Sequence, residues 1–153
     1  MRRKPSRERW DDDASGVRIL VESEPAGSPG IIASLLERHG FAVRTCEGPG
    51  CRPCELSEHG ACGLVDGADV VVNLLRDPVD GPAIAQQVAD LRRPPALIVE
   101  AGGAPSRTVD ADPAATNVVT VATPVTRKGL LDGINDALRR RDQPAPWWGD
   151  GLP

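Results

Sequence analysis

Aromatic side chains, long apolar runs and an excess of positive charge are all scarce in this chain of 153 residues. The sequence has one Phe, three Trp and no Tyr, so an apolar core has to be built from Val, Leu, Ile and Ala. No apolar run approaches the about 20 residues that a membrane-spanning helix needs. The net charge of −4 argues against a general binder of nucleic acids or anionic membranes. We therefore expect neither among the partners of this protein.

The two ends of the chain show neither helical nor strand periodicity. Residues 1–16 join a basic stretch to an acidic run, and residues 142–153 are rich in Pro and contain Trp147 and Trp148. We predict a disordered N-terminal tail and a C-terminal tail whose Trp pair docks on the domain or on a partner. No apolar stretch follows the basic start, which predicts a cytoplasmic protein with reduced thiols.

Between the tails, short apolar strands alternate with amphipathic helices. Five segments are predicted strands: Val17–Val21, Phe41–Thr45, Asp69–Leu75, Ala96–Val99 and Val118–Ala122. Three helices are predicted to begin at the capping residues Ser28, Asp80 and Thr126. This alternation predicts one α/β domain over residues 17–141 with a parallel sheet, whose ligands bind at the carboxyl ends of the strands.

The turns after the strands carry a recognisable set of motifs. They are the acidic E-x-E-P turn after the first strand, the apolar third strand with Pro-x-Asp-Gly downstream, the A-L-I-V-x-A of the fourth strand and the x-Pro-x-Thr turn after the fifth. In this order the motifs resemble the receiver domain of bacterial two-component response regulators. The resemblance covers about Val17 to Arg140 and implies a flavodoxin-like fold with five parallel strands.

The resemblance also implies a phosphorylation site, and this sequence departs from it. In receivers, two acids after the first strand hold Mg²⁺, an Asp of the third strand accepts a phosphoryl group, and a Ser or Thr and a Lys read the modification. Here Glu22 stands at the first acidic position, but the other four positions hold Ser23, Asn73, Glu100 and Thr123. An amide is a poor nucleophile and has no charge with which to hold Mg²⁺.

These substitutions predict a pseudo-receiver that binds no Mg²⁺ and is not an enzyme. We expect a regulatory or protein-interaction module of bacterial signal transduction. Its partner would be a protein of a signalling system or a second copy of the chain.

All four cysteines lie between the second and third predicted strands, where receivers have a helix. Cys46, Cys51, Cys54 and Cys62 follow the spacing C-x4-C-x2-C-x7-C, and His59 lies among them. The Gly and Pro residues of this segment predict that a Cys-rich loop over residues 46–63 replaces the helix. Residues 101–117 lack an apolar stripe, so the helix before the fifth strand is also predicted to be degenerate.

Several chemistries fit the four cysteines. Zn²⁺ can be held by four thiolates, with His59 as an alternative ligand. An iron–sulfur cluster also takes four cysteines, and free thiols or disulfides are the plain alternatives. Binding of either Zn²⁺ or an iron–sulfur cluster would make the protein a metal or redox sensor. Cys51 and Cys54 could instead form the C-x2-C pair of a thiol oxidoreductase, although no helical pattern follows Cys54.

Overall fold

The computed structural model describes residues 9–11, 16–50, 53–101 and 117–142. Its five strands form one parallel sheet in the order β2-β1-β3-β4-β5. The strands are β1 (Arg18–Glu22), β2 (Ala42–Cys46), β3 (Val70–Asn73), β4 (Ala96–Glu100) and β5 (Val118–Val121). The helices are α1 (Pro29–Arg38), α2 (Glu55–His59), α3 (Gly63–Asp66), α4 (Asp80–Ala89) and α5 (Arg127–Asp142), with a 3-10 turn at Pro25–Gly27.

This sheet confirms the predicted flavodoxin-like fold. The third strand is shorter than predicted because the amide of Leu75 donates to the side chain of Asn73 at 3.0 Å, so the chain leaves the sheet there. No helix within the described ranges is long and apolar enough to cross a membrane.

The sheet is covered on both faces, and the alternation of side chains along each strand divides the core in two. On one face, side chains such as Ile19, Val72 and Ile98 pack with Leu36 of α1 and Ile134 of α5. The opposite face carries a second cluster, which includes Leu20, Val71, Leu97, Leu56 of α2, Leu64 of α3 and Ile84 of α4. Burial on both faces explains why β3 is an unbroken apolar run before its last residue.

One short helix, α2, lies within the segment of residues 46–63 that was predicted to be a Cys-rich loop, and α3 begins at its last residue. The expectation that no helix follows Cys54 is wrong, because α2 begins at Glu55. Glu55 and Glu58 are favourable in the first turn of a helix, and Gly60 ends it at a φ of 73°. The α2 and α3 helices are held on the sheet by Leu56 and Leu64, which are buried. Residues 102–116, where a degenerate helix was predicted, lie outside the described residues.

One of the three predicted helix caps is wrong. Ser28 precedes α1 as expected, although its side chain makes no capping hydrogen bond, and Thr126 Oγ1 accepts the amide of Gly129 at 3.0 Å. Asp80, in contrast, is the first residue of α4 rather than its cap. The carboxylate of Asp77 takes that role by accepting the amides of Val79 and Asp80, each at 2.8 Å.

The N-terminal stretch is not a free tail at Trp10. Its indole is 9% exposed and belongs to the apolar cluster beneath α2, α3 and α4. Trp10 Nε1 donates to the carbonyl of Leu64 at 2.9 Å, and the ring lies against Gly67, where a Cβ would come within 2.5 Å of it. The guanidinium of Arg18 lies 5.8 Å from the ring centre. Trp147 and Trp148 lie outside the described residues.

Candidate functional site

The strand register gathers the predicted site residues of β1 and β3 at the carboxyl edge of the sheet. Glu22 is paired with Cys46 on one side and with Asn73 on the other, and Asn73 is paired with Val99. Residues at one level of neighbouring parallel strands lie on the same face. These positions therefore share the face that carries Trp10 and the short helices.

Glu22 is a buried acid at the end of β1. Its side chain is 4% exposed, and Oε1 has no hydrogen-bond partner among the described residues. Burial raises the pKa of Glu22 from 4.5 to about 8 because the charged form loses its hydration. At neutral pH the carboxyl group therefore carries a proton and contributes no negative charge to the site.

Asn73 spans the ends of the loop between β3 and α4. Its Nδ2 donates to the carbonyl of Gly81 at 3.0 Å, and its Oδ1 accepts the amide of Leu75 at 3.0 Å. Gly81 packs closely against this loop, since a Cβ there would lie 2.8 Å from the carbonyl oxygen of Leu75. An Asp at position 73 could accept from Leu75 but would have no donor for Gly81. The amide thus has a structural role that a carboxylate cannot fill.

Ser23 is engaged with its neighbours in the turn. It is 1% exposed, its amide donates to the carbonyl of Cys46 at 2.9 Å, and its hydroxyl donates to the carbonyl of Glu24 at 3.1 Å. The turn is tight around it, because a Cβ at Gly27 would lie 2.3 Å from Ser23 Oγ. The hydroxyl is therefore fixed within the turn that joins β1 to α1.

Glu24 is a site residue that the sequence motifs did not single out. Its carboxylate accepts the amide of Arg76 through both oxygens, at 2.9 and 3.0 Å, and the amide of Asp77 at 3.0 Å. Partial burial raises the pKa of Glu24, but the backbone hydrogen bonds lower it by a larger amount. The pKa of Glu24 therefore lies below its ordinary value. The only sequence signal was its place in the E-x-E-P turn.

Glu100 and Thr123 lie at the other end of the same edge. Glu100 is the last residue of β4 and pairs in register with Val121, whereas Thr123 is exposed in the turn after β5. Within the described ranges, no hydrogen bond links either residue to Glu22 or Asn73. The register thus brings Glu22 and Asn73 together, and Glu100 directly follows Val99, the register partner of Asn73, on the neighbouring strand.

Three of the four cysteines are described, and all three contact the cluster that contains Trp10. The side chains of Cys46, Cys54 and Cys62 are partly buried against it. Burial is the main reason that the pKa of Cys62 is raised; backbone hydrogen bonds at Val65 and Leu64 oppose the rise, and the charges of Glu55 and then Cys54 add to it. Cys51 lies outside the described residues. Across the described ranges, no three His, Cys, Asp or Glu side chains are grouped as a metal site.

His59, the predicted alternative ligand, is exposed to solvent. Its side chain is 64% exposed, and its Nε2 lies 3.7 Å from the carboxylate of Glu58. Its position at the end of α2 keeps it out of the apolar cluster with which the cysteines are packed.

Comparison with known structures identifies the fold. A receiver domain from Clostridium thermocellum has 22% identity and a TM-score of 0.53, covering 82% of this chain and 96% of its own. A receiver protein from Sinorhizobium medicae also has 22% identity, with a TM-score of 0.52 and coverages of 82% and 97%. A structure of histidine kinase ThkA in complex with response regulator TrrA matches at 15% identity and a TM-score of 0.54, covering 80% of this chain and 99% of that chain.

Sequence comparison adds nothing to this assignment. No protein-family model matches the sequence, and no curated protein has significant similarity to it. The likeness to solved structures, together with the order of the five parallel strands, establishes that this chain has the fold of response regulator receiver domains.

Proposed function

We propose that this chain is a receiver-like regulatory module of bacterial signal transduction that acts through protein contacts and is not phosphorylated at residue 73. The observation that carries the proposal is the chemistry of three predicted site positions at the carboxyl ends of β1 and β3, which hold a buried carboxyl group, a hydroxyl and an amide. Glu22 is buried and protonated at neutral pH, and Asn73 is an amide with both of its ends hydrogen-bonded. Ser23 is fixed in a turn.

Phosphoryl transfer to a carboxylate needs a nucleophilic oxygen and a cation that neutralises the transferred group. The amide of Asn73 offers no nucleophile of this kind. Mg²⁺ prefers charged oxygen ligands, and since Ser23 is a hydroxyl and Asn73 an amide, Glu22 has the one carboxyl group at these three positions. A regulatory role without this chemistry would depend on protein contacts, and the proposed partner is a signalling protein, since a similar structure is a complex of a response regulator with a histidine kinase.

The chain should not be phosphorylated by acetyl phosphate in the presence of Mg²⁺. The measurement is intact mass after incubation, beside a receiver domain that retains its acceptor Asp as the positive control. Asn73→Ala is the matched variant, because it removes the side chain at the acceptor position. A stoichiometric gain of one phosphoryl group in the wild type that is lost in Asn73→Ala would contradict the proposal.

A second proposal concerns the cysteines: Cys46, Cys51, Cys54 and Cys62 bind a structural Zn²⁺, which makes the module a metal-responsive one. It is supported by the packing of the three described cysteines against one apolar cluster. Thiolates are the preferred ligands of structural zinc. An iron–sulfur cluster is the alternative that the same residues allow.

Protein purified without oxygen should contain one equivalent of Zn²⁺ by elemental analysis, with no absorption in the visible range. Cys54→Ser should lower the zinc content below half, because it removes one of four ligands. His59→Ala is the matched control and should leave the content unchanged, since the imidazole is exposed. Visible absorption with bound iron would indicate the cluster instead, and metal-free protein would contradict both forms of the proposal.

A further inference from the structure

The loop between β3 and α4 is held by side chains at nearly every backbone amide. The amide of Leu75 donates to Asn73 at 3.0 Å. The next two amides, those of Arg76 and Asp77, donate to the carboxylate of Glu24 at 2.9 to 3.0 Å. Glu24 belongs to the turn after β1, so its carboxylate joins two loops that are about fifty residues apart in the chain.

The same loop continues into the start of α4 through a second carboxylate. Asp77, whose amide is bound by Glu24, accepts the amides of Val79 and Asp80 at 2.8 Å each. The carbonyl of Asp77 also accepts the amide of Gly81 at 3.0 Å. Glu24 therefore fixes the backbone of the residue that caps α4, and the position of α4 depends on it indirectly.

These amides stabilise the ionised form of both carboxylates. Backbone hydrogen bonds lower the pKa of Asp77. For Glu24, burial raises the pKa, the backbone amides of Arg76, Asp77 and Glu24 itself together more than offset this, and the nearby charge of Asp77 has a small raising effect. Hydrogen bonds from backbone amides to an ionised carboxylate are stronger than those between neutral groups. The loop is thus held by anions that belong to the protein itself.

We propose that Glu24 is a positioning residue that latches the β3–α4 loop in one conformation, so that this edge of the domain presents a permanently formed surface. The loop directly follows Asn73, the position at which a receiver would be modified. The carboxylate of Glu24 accepts hydrogen bonds from the amides of Arg76 and Asp77, so these amides are not available to bind an incoming anion.

Hydrogen exchange of the full-length chain tests the latch. In Glu24→Ala, exchange should become about 10-fold faster or more at the amides of Arg76, Asp77 and Asp80, because the charge-assisted bonds that protect the loop are lost. The amides of Val71 and Val72 in β3 should keep their protection. Glu24→Gln retains one acceptor oxygen and should give a smaller acceleration at the same amides.

Glu37→Ala is the matched control, since Glu37 is an exposed glutamate of α1. It should leave the loop amides unchanged. Unchanged exchange of the loop in Glu24→Ala would overturn the proposal. So would an equal acceleration at β3 and the loop, because that pattern means general destabilisation, and so would an effect of the same size in Glu37→Ala.

Discussion

Replacing Glu22 with Gln should remove a large part of the pH dependence of stability. The unfolded chain releases the proton of Glu22 near its ordinary pKa of 4.5, whereas the folded chain keeps it up to about pH 8. The wild type therefore loses stability as pH rises through this window, at about 1.4 kcal/mol per pH unit. Between pH 4.5 and pH 7 the loss attributable to Glu22 is about 3 kcal/mol, and the Glu22→Gln variant, which has no proton to release, would not incur it.

The measurement is urea denaturation of both proteins at several pH values, comparing the free energies of unfolding. Other titrating groups affect both proteins alike, so the difference between them isolates Glu22. Below pH 4.5 the two should have similar stability, and the variant should become the more stable one as pH rises. Glu37→Gln, a change at an exposed position of α1, should follow the wild type. Parallel curves for Glu22→Gln and wild type would show that Glu22 is ionised in the folded protein.

Trp10→Ala should destabilise the domain by about 3 kcal/mol or more, although the residue precedes the first strand. The indole fills space in the cluster with Leu56 and Leu64, and its removal leaves a cavity and removes the hydrogen bond to the carbonyl of Leu64. Trp10→Phe keeps most of the packing but loses the hydrogen bond, so a loss of about 1 kcal/mol from that bond is expected, plus a smaller packing term.

Urea denaturation followed by circular dichroism measures these losses without relying on Trp fluorescence. Gly67→Ala should also be destabilising, because its Cβ would lie 2.5 Å from the Trp10 ring and would clash with it. Gly30→Ala is the matched control, since nothing lies within 4 Å of the Cβ it would add. A loss below about 0.5 kcal/mol for Trp10→Ala, the range of ordinary surface substitutions, would mean that the indole does not contribute to the folded core.

The strands and three of the helices could be predicted because their apolar residues recur with the period of the element that buries them. The pattern around Val70–Val72 is an example, since a strand buried on both faces has no polar alternation. The neighbourhood of Glu22 and Asn73 was also predictable, because parallel strands bring their carboxyl ends to one edge. These features depend on local spacing and on general rules of sheet architecture.

What could not be predicted depends on contacts between distant residues. Trp10 lies in a stretch without periodicity, and only its partner 54 residues later explains its burial. Helix α2 has five residues, too few for a periodic signal, and is held by the burial of Leu56. The role of Glu24 arises from amides of Arg76 and Asp77, which have no side-chain signature in the sequence.

Because the Trp10 ring packs directly against Gly67, the residues that evolution can place at these two positions depend on each other. An indole fits there only where no Cβ is present, and the space beside Gly67 is filled only where an indole is present. Homologues of this protein should therefore keep both residues or replace both. A comparison that starts at the first strand would discard one member of this pair, so the boundary of the evolutionary unit should be placed before Trp10.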